Sequence, residues 1–280
     1  MIKWQAYMRL LRLDKPVGIL LLWYPTAWAL WIANSGHPSV GLISLFFLGT
    51  VFMRSAGCVI NDIADRNIDK YVGRTKLRPL AANEISLFEA FALLLGLLVC
   101  ALIILINLPF QCFYWGMISV LITFLYPFCK RFINAPQLVL GLAFSMGIPM
   151  AFVASGVSFN TSMSLIFLIN FMWIIAYDTM YAMVDKEDDL KIGVQSTAIW
   201  FGSADFAVIS ALLIMLHALW LLFGVSEGGH AGFYFIWFLA GWILIYQVKL
   251  ISTRNSDNCF KSFLISSYYG ALMWTAIMLL

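Results

Sequence analysis

Residues 40–69 read VGLISLFFLGTVFMRSAGCVINDIADRNID, an apolar run that ends in Asn61, Asp62, Asp65 and Asp69. A bilayer core of about 30 Å is crossed by about 20 apolar residues in a helix, so residues 40–60 read as a membrane span. If the helix continues, Asp62, Asp65 and Asp69 fall at i, i+3 and i+7 and share one face. An ionised Asp at a helix centre costs roughly 2.5–3.5 kcal/mol, less near the interface. Like charges on one face also repel. Such a helix gathers carboxylates only against a compensating cation.

The rest of the chain agrees with a membrane setting. Of its 280 residues, 62% are hydrophobic and 11% charged, with a mean hydropathy of +0.90. A soluble domain carries about 25% charged residues. We therefore expect one membrane-embedded domain over residues 1–280, an all-α polytopic membrane protein. The net charge of +3 leaves no nucleic-acid footprint. The five cysteines are scattered without metal-ligand spacing and read as small apolar fillers. The first apolar run contains Pro25 and bulky tryptophans, so it reads as an uncleaved span rather than a signal peptide.

Apolar stretches of spanning length lie near residues 17–34, 40–60, 85–106, 110–128, 137–155, 163–184, 204–225, 231–251 and 262–280. This predicts nine transmembrane helices. Lys and Arg occur in the N-terminal segment, after the second, fourth and sixth spans, and around the loop after the eighth, where Lys249 ends the span itself. Together with Arg54 inside span two, these account for all 17 basic residues. The positive-inside rule then places the N-terminus and the even-numbered loops in the cytoplasm. Two cytoplasmic loops are long, near 61–84 and 185–203, and function is expected there.

The second carboxylate cluster leaves span six. Asp178, Tyr181, Asp185 and Asp189 fall at i, i+3, i+7 and i+11, again on one face. At an offset of 116 residues it overlays the first cluster, which suggests an internal repeat facing itself across a cavity. Mg²⁺ prefers oxygen ligands and binds through a few carboxylates plus substrate phosphate. A solvated charged loop is the alternative, and it suits Glu187, Asp188 and Asp205 better than the intramembrane aspartates. Arg66, Arg74, Arg78, Lys130, Arg131 and Lys191 are suitable partners for phosphate oxygens, although cytoplasmic anchoring explains such residues equally well. Arg54 lies seven residues before Asn61, on the same face and deeper, where a buried guanidinium requires an anion. Arg12 is the rival for that role. Ionisable groups at one face, with outer loops free of Lys and Arg, argue against a transport pathway.

The motifs Asn61-Asp62-x-x-Asp65-x-x-x-Asp69 and Asp178-x-x-Tyr181-x-x-x-Asp185-x-x-x-Asp189 resemble the two signatures of UbiA-type intramembrane prenyltransferases. The flanking Arg12-Leu13-Asp14-Lys15-Pro16-Val17-Gly18, Met53-Arg54-Ser55-Ala56-Gly57-Cys58, Arg74-Thr75-x-x-Arg78-Pro79-Leu80, Tyr126-Pro127 and Lys191-Ile192-Gly193 are similar to the bacterial 4-hydroxybenzoate branch of ubiquinone synthesis. The resemblance implies nine helices around a central cavity and an Mg²⁺-dependent transfer from a polyprenyl diphosphate to 4-hydroxybenzoate at the bacterial inner membrane. It implies Asn61, Asp62, Asp65, Asp69, Asp178, Asp185 and Asp189 as metal ligands. Asp178, Tyr181 and Asp185 become the catalytic candidates, and Arg54 or Arg12 the partner of the acceptor carboxylate. No protein partner is implied beyond the lipid bilayer.

Overall fold

The computed structural model describes residues 3–280, and among them there are helices and turns but no strand. The helices are α1 (Lys3–Leu10), α2 (Val17–Ala33), α3 (Val40–Asp65), α4 (Leu87–Ile106), α5 (Gln111–Cys129), α6 (Pro136–Ser145), α7 (Gly147–Ala154), α8 (Thr161–Ile192), α9 (Thr197–Trp200), α10 (Asp205–Ser226), α11 (Ala231–Ile251) and α12 (Ser256–Ile277).

Local chemistry sets the helix ends. The Ser39 hydroxyl accepts from Leu42 N to cap α3, Ser86 and Glu89 form a capping box on α4, and Asn160 caps α8. Helix α8 stops at Gly193, whose φ of 74° places it in the left-handed region that glycine enters without steric cost. The expected fifth span divides into α6 and α7 at Met146. Pro149 has no N–H to give the Ser145 carbonyl, and its ring crowds that carbonyl.

Consecutive helices pack in turn, with α6–α7 between α5 and α8, and α12 closes onto α2 to make a ring. Its core centres on Trp28, Trp173, Trp220 and Tyr269, all fully buried. Large apolar side chains such as Leu95, Ile106, Ile214, Leu222 and Phe235 point outward, as expected where hydrocarbon replaces water. Helix α1 buries Ala6 and Leu10 in a second cluster with Val59 and Ile60 of α3 and Leu94 of α4. That packing delivers the segment following α1 to the end of α3.

Among the described residues, seven helical segments are long and apolar enough to cross a membrane: α3, α4, α5, the α6–α7 pair, α8, α10 with the turn before it, and α11. The first expected span coincides with α2, which at 17 residues is apolar but shorter than these seven. The ninth coincides with α12, which carries Asp257, Asn258, Lys261 and several serines and is not among the seven. Helix α8 runs on to Ile192, so the expected loop near 185–203 begins as helix.

Candidate functional site

The first cluster departs from a single helical face. Helix α3 ends at Asp65, and Asp69 opens a separate 3-10 turn. The last carbonyls of a helix need donors, and two arginines provide them: Arg66 donates to Ile63 O at 3.1 Å and Arg131 to Ala64 O at 2.9 Å. Both had been expected on phosphate. Asp69 is instead joined to Asp62 by a shared cation, since Arg78 donates to Asp69 at 2.9 and 3.1 Å and lies 3.3 Å from Asp62.

Every aspartate of this cluster carries a basic partner. Arg12 grips Asp62 with one nitrogen at 2.8 and 3.1 Å from its two oxygens, and Lys130 pairs with Asp65. Asp62, Asp65 and Asp69 are only 1%, 2% and 5% exposed. Unpaired carboxylates so buried would be strongly destabilising, and these pairs offset that cost. Burial pushes the Asp69 carboxyl above its ordinary value, Arg78 opposes this, and Asp65 and Asp62 add to the rise.

The second cluster lies on α8. Arg74 holds both oxygens of Asp185 through Nε at 3.0 and 3.1 Å and pairs with it again through Nη2. The same guanidinium donates to the Tyr181 hydroxyl and stands 4.5 Å from the centre of its ring. That ring packs 4.6 Å from Phe263. Gly73 N donates to Asp188 at 3.2 Å. Segment 72–78 therefore straps the end of α3 to α8, so the two clusters meet through this loop. Asp178 is half-buried and lies beside Gln137. Lys191 pairs at 3.3 Å with Asp188 on the surface.

Arg54 borders a partly open apolar cavity of about 310 Å³ lined by α2 to α7, where Leu45, Phe46, Leu105, Val120 and Met150 contribute to the wall. It is the one charged residue of that wall. Its guanidinium stands 5.6 Å from the centre of the Phe144 ring, and Nε is buried without a hydrogen-bond partner among the described residues. The Tyr177 hydroxyl is likewise buried and unpartnered there, and it is among the groups acting electrostatically on Arg54. Arg12 is committed to Asp62, which leaves Arg54 as the cation available to a ligand in this cavity.

Sequence reading missed two contributors. Gln137 of α6 is buried, accepts from Thr197 N at 2.9 Å and adjoins Asp178. Its only signal was a lone amide in an apolar span. Asp205, grouped above with the solvated acids, is 1% exposed and binds Lys186 at 3.0 Å and Arg254 at 2.7 Å.

The donor set suits a hard divalent cation. Asn61 Oδ1 and Asp65 Oδ1 are buried oxygens without a hydrogen-bond partner among the described residues, and such orphans call for an explanation. Among the same residues, no three carboxylate, histidine or cysteine side chains converge as a complete cage. Mg²⁺ commonly takes one or two carboxylates and fills its shell with water and substrate phosphate, so the residues present fit it.

Comparison with known proteins agrees with this chemistry. The model of the UbiA prenyltransferase family matches residues 22–275. The chain is 65% identical over 277 residues to the 4-hydroxybenzoate octaprenyltransferase of Legionella pneumophila (strain Philadelphia 1), covering 99% of this chain and 98% of that one. Among solved structures, a UbiA homolog from Aeropyrum pernix K1 superposes with a TM-score of 0.81 at 22% identity, covering 93% of this chain and 96% of the other. A UbiA homolog from Archaeoglobus fulgidus bound to GPP and Mg²⁺ gives a TM-score of 0.73 at 20% identity, covering 97% and 99%. The chain belongs to the UbiA prenyltransferase family.

Proposed function

We propose that this member of the UbiA prenyltransferase family moves a polyprenyl group from its diphosphate to the carbon ortho to the hydroxyl of 4-hydroxybenzoate, as in ubiquinone synthesis. The observation that carries the reading is one unpartnered cation, Arg54, in the wall of an apolar cavity that also holds space for a prenyl tail. The name of the Legionella relative supports the acceptor. The proposal includes nine spans, with α2 and α12 crossing as the first and ninth, in one domain over residues 1–280 with no required protein partner. It places the N-terminus and the aspartates at the cytoplasmic face of a bacterial inner membrane, supported by the distribution of Lys and Arg.

In this reading Asn61, Asp62, Asp65 and Asp69 of the first cluster and Asp178, Asp185 and Asp189 of the second would hold Mg²⁺. Bound Mg²⁺ supplies charge neutralisation that makes the diphosphate a better leaving group. Arg74, Arg78 and Lys130 turn to the phosphate oxygens, while Arg66, Arg131 and Lys191 remain at the rim. The allylic C–O bond breaks and its electron pair leaves with the diphosphate. The apolar wall keeps water from the cation, and the Tyr181 ring offers it an aromatic face. The ring carbon of the acceptor then forms the new C–C bond, and its proton passes to a carboxylate of the second cluster, for which Asp178 and Asp185 are the candidates. Arg54 holds the acceptor carboxylate.

The test uses membranes containing the protein, radiolabelled 4-hydroxybenzoate, a polyprenyl diphosphate, and either Mg²⁺ or EDTA. Label should enter organic-extractable product only with Mg²⁺. If no magnesium-dependent transfer occurs while the protein is folded, the reading fails.

A further inference from the structure

Gly18 is the second residue of α2, in ordinary helical conformation. Nothing about its backbone calls for glycine, which costs about 1 kcal/mol relative to Ala inside a helix. Its surroundings supply the reason. A Cβ built on Gly18 would stand 2.5 Å from Arg54 Nη2, 2.6 Å from Nε and 2.9 Å from Cζ. The flat of the guanidinium thus lies against the bare Cα of α2, with the Phe144 ring beside it.

From this contact we infer that Gly18 is a positioning residue for acceptor binding: its missing side chain is the slot that seats the Arg54 guanidinium. The inference rests on the reading of Arg54 as the partner of the acceptor carboxylate. The atoms a methyl at residue 18 meets first are the far end of a flexible side chain, so the helix stays and the guanidinium moves. Restoring ordinary van der Waals separation requires a retreat of about 1 Å. Displacements of that size at a reacting centre cost up to about 100-fold in rate. The consequence falls on the acceptor, because the three atoms nearest a Cβ at Gly18 all belong to Arg54.

The experiment is a double-mutant cycle on the full chain in detergent or membranes, with Gly18→Ala, Arg54→Leu and the pair. KM is measured separately for 4-hydroxybenzoate and for the polyprenyl diphosphate, with thermal unfolding alongside. Gly18→Ala should raise the acceptor KM about tenfold or more, as for weakening a charge-assisted hydrogen bond, and shift the diphosphate KM less than about twofold. In the Arg54→Leu background the same change should have no effect. If Arg54→Leu leaves the acceptor KM unchanged, the reading of Arg54 fails and takes this inference with it. If Arg54→Leu raises it but Gly18→Ala does nothing, or acts equally in both backgrounds, only the role of Gly18 is overturned. Should Gly18→Ala not fold, recovery of folding by Arg54→Leu supports the contact, and a double variant that also fails to fold refutes it.

Discussion

Asp205→Asn removes one charge and almost nothing else. Asp205 lies at the start of α10 and ties three segments together. Its Oδ2 accepts from Lys186 of α8 at 3.0 Å, and its Oδ1 from Arg254, between α11 and α12, at 2.7 Å. Lys186 also donates to Gly202 O and Arg254 to Ser203 O. Asparagine keeps an oxygen for the Phe206 N–H that now donates at 2.7 Å, so the local turn survives. Losing one partner of a fully buried ion pair costs about 3–5 kcal/mol. Here the aspartate side chain is 1% exposed but Lys186 is 27% and Arg254 52% exposed, so water screens both cations. We therefore expect a loss of about 2 kcal/mol. For a chain of this size that lowers Tm by roughly 4–8 °C. The assay is thermal unfolding in detergent, followed by a thiol-reactive dye as the buried Cys58, Cys112 and Cys259 become accessible. High salt should narrow the gap between the two proteins, because it weakens the pairs only in the parent. A Tm within about 1 °C of the parent, or an equal drop for the exposed Glu187→Gln, would refute the clasp.

Arg74→Lys keeps the charge but loses the fork on Asp185 and the stacking on Tyr181. Steady-state assays should show kcat/KM for the polyprenyl diphosphate falling about 100-fold, with stability changed by less than about 1 kcal/mol; retention of kcat/KM argues that the strap has no catalytic part. Asn61→Leu deletes a buried oxygen that has no partner among the described residues. The Mg²⁺ concentration for half-maximal activity should rise about tenfold while Tm holds or increases, since an unsatisfied buried group is removed; an unchanged magnesium titration would exclude Asn61 as a ligand.

Periodicity and charge made the helices legible, and the expected spans agree in position with α2 to α8 and α10 to α12. The end of α3 was not legible. It depends on Arg131, 67 residues beyond the carbonyl it satisfies, and that distance along the chain is invisible to a helical register. Asp69 consequently left the expected face and reached the cluster through Arg78. Asp205 failed for a related reason: its cations come from α8 and from the segment after α11, so local composition suggested a solvated acid where the fold buries one. Gly18 carried no sequence signal, because its meaning lies in which side chain α3 lays against α2.

The carboxylates themselves were read correctly as an expense needing compensation, and the structure changes what compensates them. Sequence reasoning assigned that task to a divalent cation. In the fold, Arg12, Arg78, Lys130 and Arg74 already neutralise Asp62, Asp69, Asp65 and Asp185. This arrangement suits a site that must pass a highly charged substrate through a thin polar layer above hydrocarbon. With the proposed magnesium diphosphate bound, the carboxylates would serve the metal and the same long basic side chains would serve the phosphate. Each exchange trades one charge-assisted bond for another and leaves no ion bare in a weakly screening environment. Arg54 lies outside that exchange because it has no carboxylate to give up. In the proposed reading its binding energy is free for the acceptor, and a contact as small as Gly18 Cα against a guanidinium would then govern one substrate and not the other.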